Sequence, residues 1–320
     1  MKIFITGGSG FAGSGLAKRM LASGHMVTIL DIASPHMAWN LMDVIDNPNL
    51  TYLWKALQDI EPSDIQGHDI VAHFAAQADA PMAFTSPRYT VSQNVNETIA
   101  LLETCRKVSG IKKILYAGSG NEYGRATYLP IDENHPLTPH NPYGFSKAAG
   151  EMACWTYRRC YNLPITIMSN GACLGAGMRR DIFVYLWLRN MILGLPVRLE
   201  GGDQTRDLTY VSDILDALEL TINADNKVTD GQKFQISYGE EHSVEEILAM
   251  CIKVTGITPK IERKPHRPGE KGQREFFTNA KARYLLKYNP KVSPLAGIDL
   301  TYKWMLSLPE FQGKIESRKG

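Results

Sequence analysis

Thr6-Gly7-Gly8-Ser9-Gly10-Phe11-Ala12-Gly13 stands between the apolar run of residues 2–6 and an amphipathic stretch that reaches about Ser23. The octapeptide therefore reads as a tight turn from a strand into a helix. Glycines at 7, 10 and 13 carry the information. Such a turn needs backbone angles that glycine reaches at little cost. Missing side chains let the main chain approach a pyrophosphate, which then sits on the helix N-terminus, where free N–H groups and the helix dipole favour negative charge. The next β-like run, 26–30, ends at Asp31, where a ribose hydroxyl needs an acceptor. An acid there repels a 2′-phosphate, so the pattern points to NAD rather than NADP.

Outward from this turn, short apolar runs alternate with helical spacing. Further strands are predicted at 69–74, 113–116 and 165–168, and helices at 92–108 (Val95, Ile99, Leu102 on one face) and 143–159. Buried strands alternating with helices imply a parallel sheet covered on both faces, an α/β doubly wound architecture of the Rossmann type. The second half reads differently, with helices at 181–193, 212–222, 244–254 and 294–306 and short strands near 197–199 and 233–236. Gly201-Gly202-Asp203 and Arg267-Pro268-Gly269 mark turns. The expected organisation is an NAD-binding domain over 1–165, with some later segments returning to it. Residues 166–320 then form mainly a smaller α/β substrate domain.

With 320 residues and 44% apolar content, the chain can bury a sizeable core. Charged residues make up 21%, the net charge is +2, and no long block of one sign occurs, so neither nucleic acid nor a membrane surface is indicated as a partner. The basic tail Lys314, Arg318, Lys319 reads as a solvated end. No stretch approaches the roughly 18 apolar residues of a bilayer span, and the short N-terminal run is no signal peptide. The five cysteines include no CxxC pair, which suggests neither a disulfide framework nor a metal site. A cytoplasmic location with reduced thiols is expected.

Tyr143-Gly144-Phe145-Ser146-Lys147 places a tyrosine and a lysine one helical turn apart on one face. A phenol titrates near 10 and is a poor base at neutral pH. An adjacent ammonium is expected to favour the phenolate and lower that value, so that the tyrosine takes a hydroxyl proton while hydride leaves for a nicotinamide. Ser119, in Ala117-Gly118-Ser119-Gly120-Asn121-Glu122-Tyr123-Gly124, directly follows a strand, at the sheet end where ligands bind. It is placed to hydrogen-bond the reacting oxygen.

Together these residues resemble the extended short-chain dehydrogenase/reductase superfamily, in its NAD-dependent epimerase/dehydratase branch. The resemblance runs through the turn at 6–13, His73-Phe74-Ala75-Ala76-Gln77, Asn94-Val95, Ser119 with Tyr123-Gly124, and Pro142-Tyr143 to Lys147 and Glu151. It continues through Gly175-Ala-Gly177, Gln204-Thr-Arg206-Asp207, Tyr210-Val211-Ser-Asp213 and Arg267-Pro268-Gly269-Glu270. It implies a catalytic set of Ser119, Tyr143 and Lys147. The implied cofactor contacts are Gly7, Gly10, Phe11, Ala12, Gly13, Asp31, Ile32, Leu57, Phe74, Ala75, Ala76, Gln77 and Asn94, with Tyr143 and Lys147. It further implies sugar or diphosphate contacts from Gln77, Asn121, Ala172, Arg179, Arg206 and Arg267. Guanidinium forks suit phosphate oxygens, and Met178-Arg179-Arg180-Asp181 is similar to the Gly-x-Arg-Pro-Asp segment of bacterial hexuronate 4-epimerases. A homodimer through the helices near 92–108 and 143–159 is implied as well.

The chain departs from the family pattern at informative places. Gly120 and Asn121 stand where 4,6-dehydratases carry the acid and base of water elimination, and Glu122 lies one place further on. Ala172 replaces a polar sugar contact, which points to a remodelled pocket, and Ala56 stands where an aspartate often meets the adenine. The expected function is epimerisation of a nucleotide-diphosphate sugar at position 4 through a transient 4-keto intermediate. The alternatives are a nucleotide-sugar 4,6-dehydratase or 4-keto reductase and, in a different class, a non-catalytic NAD-binding protein on the same fold.

Overall fold

A computed structural model describes residues 1–314 of the chain. Arg318 and Lys319 of the basic tail lie outside the described residues. Six strands in chain order, β1 (Lys2–Thr6), β2 (Met26–Asp31), β3 (Leu50–Trp54), β4 (Ile70–His73), β5 (Lys113–Ala117) and β6 (Ile165–Asn170), join the edge strand Lys233–Ile236 in one parallel sheet. Its order is Lys233–Ile236, β6, β5, β4, β1, β2, β3. The chain runs from β1 outward to β3, then crosses back to β4 on the other side of β1. The order thus reverses between β1 and β4, and ligands of open α/β sheets bind outside the carboxyl ends of strands at such a point. The strands in the middle of the sheet are buried on both faces, which explains their near-continuous apolar runs.

Within this sheet one strand, β3, was not anticipated, and outside it the short strands Ala172–Leu174, Leu208–Tyr210 and Ile261–Lys264 were not either. Strand β3 lies at the sheet edge and is only half covered, so Leu50–Trp54 shows no clear apolar run. The expected helix at 92–108 is built in pieces. An α-turn Pro87–Val91 leads into a π-turn Ser92–Asn96, and only Glu97–Cys105 is α-helical. Single π-turns inside helices commonly mark functional positions, and this one carries Asn94. The helix Pro142–Tyr161 starts with Asn141 as N-cap, whose side chain accepts from Gly144 N at 2.7 Å, and with proline at its first position. It stops at Asn162, whose φ of 56° is a left-handed C-cap.

Segments beyond residue 165 return to the sheet. Besides β6 and Lys233–Ile236, the helix Val211–Asn223 packs on Phe11–Ala22. A methyl group on Gly15 would come within 2.8 Å of Leu215, and Arg19 reaches Asp216 at 2.5 Å. A separate apolar cluster combines the helices Phe183–Leu193, Val244–Thr255 and Pro294–Ser307 with the strand Val197–Glu200. That strand pairs in parallel with Ile261–Lys264. Phe11 and Tyr210 pack against both clusters, so the two regions meet at the glycine turn.

Candidate active site

The turn after β1 is shaped by close contacts. Gly7 has φ +67°, and a Cβ there would stand 2.6 Å from the backbone nitrogen of Ala75. Gly13 has its missing Cβ against the carbonyl of Gly7, and Gly10 donates to that carbonyl at 3.1 Å. The first turn of Phe11–Ala22 has no side-chain cap, so its leading N–H groups remain available to an anion. Asp31 closes β2. One carboxylate oxygen accepts from Ser9 N (2.9 Å) and Ser9 Oγ (2.6 Å), the other from Ala33 N (3.0 Å). Ser9, which sequence reasoning passed over, thus ties the glycine turn to the acid; its place inside the octapeptide was the available signal.

A cleft of about 720 Å³ opens at this point. It is lined by Gly7, Gly10, Phe11, Ala12, Gly13, Asp31, Ile32, Leu57, Phe74, Ala75, Ala76 and Gln77 on one side. On the other lie Ser119, Asn121, Tyr143, Lys147, Ala172, Arg179, Arg206 and Arg267. Asn94 is the exception among the expected contacts. It is buried behind the wall, where its side chain accepts from Gln77 N (2.6 Å) and donates to Gln77 O (3.0 Å) and Ser146 Oγ (2.8 Å). Its position is that of a brace between the β4 loop and the helix Pro142–Tyr161, not of a wall residue.

The loop after β5 and the helix Pro142–Tyr161 bring Ser119, Tyr143 and Lys147 to one side of the cleft. Ser119 follows β5 and caps the short turn Gly120–Glu122. Its Oγ accepts from Asn121 N at 3.2 Å, while its own N–H donates to Glu122 Oε1 at 2.9 Å. The Ser119 side chain lies close enough to the Tyr143 phenol to pull its pKa downward. Lys147, one turn further along the helix, is 5% exposed, with Nζ 4.2 Å from the ring centre of Tyr116. The expectation for the tyrosine is corrected here. Burial raises the Tyr143 phenol above its usual range, and Ser119 and Arg179 pull it back down. Burial also lowers the Lys147 ammonium, opposed by Glu122.

Glu122 does not enter the cleft. It is fully buried, with Lys233 Nζ 3.6 Å from Oε2, and Lys233 also bonds Glu151 at 2.7 Å. Gly120 is in the wall, and the space beside it is filled. A Cβ there would lie 2.7 Å from Phe277 Cζ, and one on Gly171 would lie 2.8 Å from the same ring. Asn121 Oδ1 accepts from the cap residue Asn141 at 3.2 Å, so its amide helps anchor the start of the helix carrying Tyr143.

The expected diphosphate arginines hold acidic partners. Arg206 donates to Glu270 at 3.0 Å, with Glu275 at 3.6 Å, Arg179 pairs with Asp181 at 3.0 Å, and Arg267 bonds Glu200. Glu270 and Glu275 line the cleft and were given no role by sequence reasoning, although Glu270 directly follows the quoted Arg267-Pro268-Gly269. Among the described residues no cluster of His, Cys, Asp and Glu is arranged to hold a metal ion, and no helix is long and apolar enough to cross a membrane.

Comparison with known proteins agrees with this geometry. Residues 3–237 match the model of the NAD dependent epimerase/dehydratase family. A UDP-glucose 4-epimerase of Mycolicibacterium smegmatis is 30% identical over 317 residues, covering 95% of this chain and 98% of that one. A dTDP-glucose 4,6-dehydratase of Streptomyces niveus is 26% identical, with 95% of this chain and 92% of that one covered. The crystal structure of a UDP-glucuronic acid 4-epimerase from Bacillus cereus, in complex with UDP-glucuronic acid and NAD, superposes with a TM-score of 0.89 at 26% identity, covering 95% and 99% of the two chains. The glycine turn, the Ser119–Tyr143–Lys147 constellation and these matches agree: the chain belongs to the NAD dependent epimerase/dehydratase family.

Proposed function

We propose that this protein is an NAD-dependent nucleotide-sugar 4-epimerase in which Ser119, Tyr143 and Lys147 handle the proton. The observation that carries the reading is the wall beside Ser119. Water elimination needs an acid and a base next to the 4-keto sugar. Position 120 is glycine with the Phe277 ring against it, position 121 is an amide engaged with Asn141, and Glu122 faces the interior. Of the carboxylates elsewhere in the cleft wall, Asp181, Glu270 and Glu275 are held by Arg179 and Arg206.

The cleft fits the dinucleotide: the bare backbone at Gly7 and Gly13 admits a pyrophosphate, and Asp31 offers a carboxylate to a ribose. When bound, NAD supplies a hydride acceptor and donor for the sugar carbon. Tyr143 takes the hydroxyl proton and later returns it. Ser119 holds the same oxygen through its hydroxyl, and the Lys147 ammonium favours the phenolate during the transfer. Arg206, Arg267 and Arg179 bind the diphosphate with the guanidinium donors that their carboxylate partners leave open, so those carboxylates stay held. In this reading Gln77, Asn121 and Ala172 border the sugar. The region packed around Phe183–Leu193, Val244–Thr255 and Pro294–Ser307 is the substrate part, and the sheet with its returning segments is the NAD part. The described cysteines are all unpaired, which suits a reducing, cytoplasmic setting, and we assign the working form as a homodimer.

The test is the product. Purified protein with NAD is given UDP- and dTDP-sugars in deuterated water, and the products are read by mass spectrometry and NMR. The expected product has the mass of its substrate, differs at sugar carbon 4 and carries no carbon-bound deuterium. A product lighter by one water, or deuterium at carbon 5 or 6, overturns the epimerase reading in favour of a dehydratase.

A further inference from the structure

Directly behind Ser119 and Lys147 lies a buried group of charges that the proposed proton path does not use. Glu122 is fully buried, Glu151 is 3% exposed and Lys233 is 6% exposed. They come from three elements: the turn after β5, the helix Pro142–Tyr161 and the edge strand Lys233–Ile236. Lys233 bonds Glu151 at 2.7 Å and stands 3.6 Å from Glu122 Oε2, over the Tyr123 ring at 4.6 Å. Trp155 Nε1 donates to the other oxygen of Glu151 at 3.1 Å. Glu122 Oε1 accepts from Ser119 N, but Oε2 has no hydrogen-bond partner.

An ionised Oε2 in that place is a buried charge short of donors, which is costly. A proton on it, directed at the neighbouring Glu151, gives Oε2 the partner it lacks, as carboxyl groups sharing a site commonly do. The remaining groups around the cluster are Tyr116 on β5, whose ring lies under Lys147, and Tyr143, Lys147 and Cys154 on the helix. Gln235 on the edge strand bonds the Tyr123 hydroxyl, and His73 on β4 feels the Lys147 charge. Among them the cationic side chains are Lys147 and Lys233. Two lysines thus face two carboxyl groups, one of which keeps an oxygen with no donor.

We propose that Glu122 and Glu151, braced by Lys233, are a buried proton-sharing pair that keeps Lys147 in its ammonium form as pH rises, which makes Glu122 a positioning residue for the reaction. As the medium becomes alkaline, the pair gives up its shared proton. The second negative charge then appears beside Lys147 and holds the proton there. The shifts run in this sense: burial first and Glu151 second push Glu122 up to about 8, burial pushes Lys147 down to about 8, and Glu122 is the leading influence holding Lys147 up. The Ser119 N–H bond links the same carboxyl to the catalytic hydroxyl. This inference rests on the assignment of Ser119, Tyr143 and Lys147 as the proton-handling set.

The experiment is the pH dependence of kcat and KM for Glu122→Gln, Glu122→Asp and the wild type. Glu122→Gln keeps the shape and an acceptor for Ser119 N but cannot ionise. Its kcat falls increasingly above neutral pH, with the alkaline limb displaced downward by roughly one pH unit and KM unchanged. Glu122→Asp keeps the charge and restores the limb. A uniform loss of kcat at every pH, or a limb that coincides with that of the wild type, overturns the proposal. Infrared difference spectra between neutral and alkaline pH give an answer even if the Glu122 variants do not fold. Burial also pushes Asp207 up to about 7, so Asp207→Asn is the background for the spectra: there the carbonyl band of a protonated carboxyl must be present at neutral pH and vanish on alkalinisation, and its absence at neutral pH overturns the pair. Tyr143→Phe is the control for the underlying assignment. If it retains turnover, the proton-handling set is wrong whatever Glu122 does; if it is inactive while the Glu122 limb stays put, only the present inference fails.

Discussion

At the scale of single residues, Gly120 says most about the reaction. Glycine there reads from sequence as a missing acid; in the structure it is also a filled space, because the Phe277 ring stands 2.7 Å from where a Cβ would be. Restoring the acid therefore meets a steric barrier as well as a chemical one. Gly120→Asp is expected to cost about 1–3 kcal/mol of stability, the usual range for overpacking a filled site, and to produce no water elimination. Thermal or denaturant unfolding and product mass check the two halves. Elimination by this single variant would show that Phe277 yields easily and that the wall does not decide the chemistry. Tyr143 carries a second lesson. Its helical spacing to Lys147 suggested a lowered phenol, whereas burial raises it and the opposing influences come from Ser119 and Arg179, residues 24 and 36 positions away.

At the scale of elements, His73 joins three of them. It ends β4 and bonds Thr6 of β1 at 2.7 Å and Thr98 of the helix Glu97–Cys105 at 2.9 Å. Burial, reinforced by the Lys147 charge, lowers its imidazole to about 3, so it is neutral in the folded protein. The unfolded chain binds a proton at His73 below about pH 6.5, the unperturbed value, and the folded chain does not. This contribution to stability is therefore fully present above about pH 6.5 and is lost progressively as pH falls towards about 3, with a limiting slope of roughly 1.4 kcal/mol per pH unit. Denaturant unfolding between neutral and mildly acid pH measures it. His73→Asn is expected to be less stable at neutral pH but to lose stability less steeply on acidification, and an unchanged slope would sink the argument. The π-turn Ser92–Asn96 belongs to this scale too. It departs from the regular helix predicted there and carries Asn94, which braces the Gln77 loop and Ser146.

At the scale of the whole molecule, the helix Pro142–Tyr161 presents an apolar stripe to solvent: Phe145 is 53% and Met152 62% exposed, with Tyr89 at 46% on the neighbouring turn Pro87–Val91. Positions 145 and 152 are seven apart and share one helical face. The opposite face carries Lys147 and Glu151, so a second copy seated on the stripe would bear directly on the helix that carries Tyr143 and Lys147. Light scattering of the wild type is expected to give twice the mass of the chain, and Met152→Glu to shift it to monomer with reduced kcat. A monomeric wild type would remove the homodimer from the proposed function.

The strand–glycine–helix pattern, Asp31 at the end of β2 and the Tyr143–Lys147 spacing were legible because each depends on neighbours within a few residues, where backbone angles and helical periodicity act directly. The strands of the main sheet followed in the same way, apart from edge strand β3, whose half-covered residues leave a weak apolar signal, while short elements such as Ile261–Lys264 and Ala280–Leu286 did not. The direction of Glu122, the ring of Phe277 against Gly120 and Gly171, the withdrawal of Asn94 behind the wall and the raised phenol of Tyr143 were decided only by tertiary structure. Each is set by partners far away in sequence: Lys233 lies 111 positions after Glu122 and Phe277 157 after Gly120. Local pattern records which side chains can ionise or pack. Desolvation and steric filling depend on which distant elements close over them, and those two effects keep Glu122 in the core and leave no carboxyl beside Ser119 in the cleft wall.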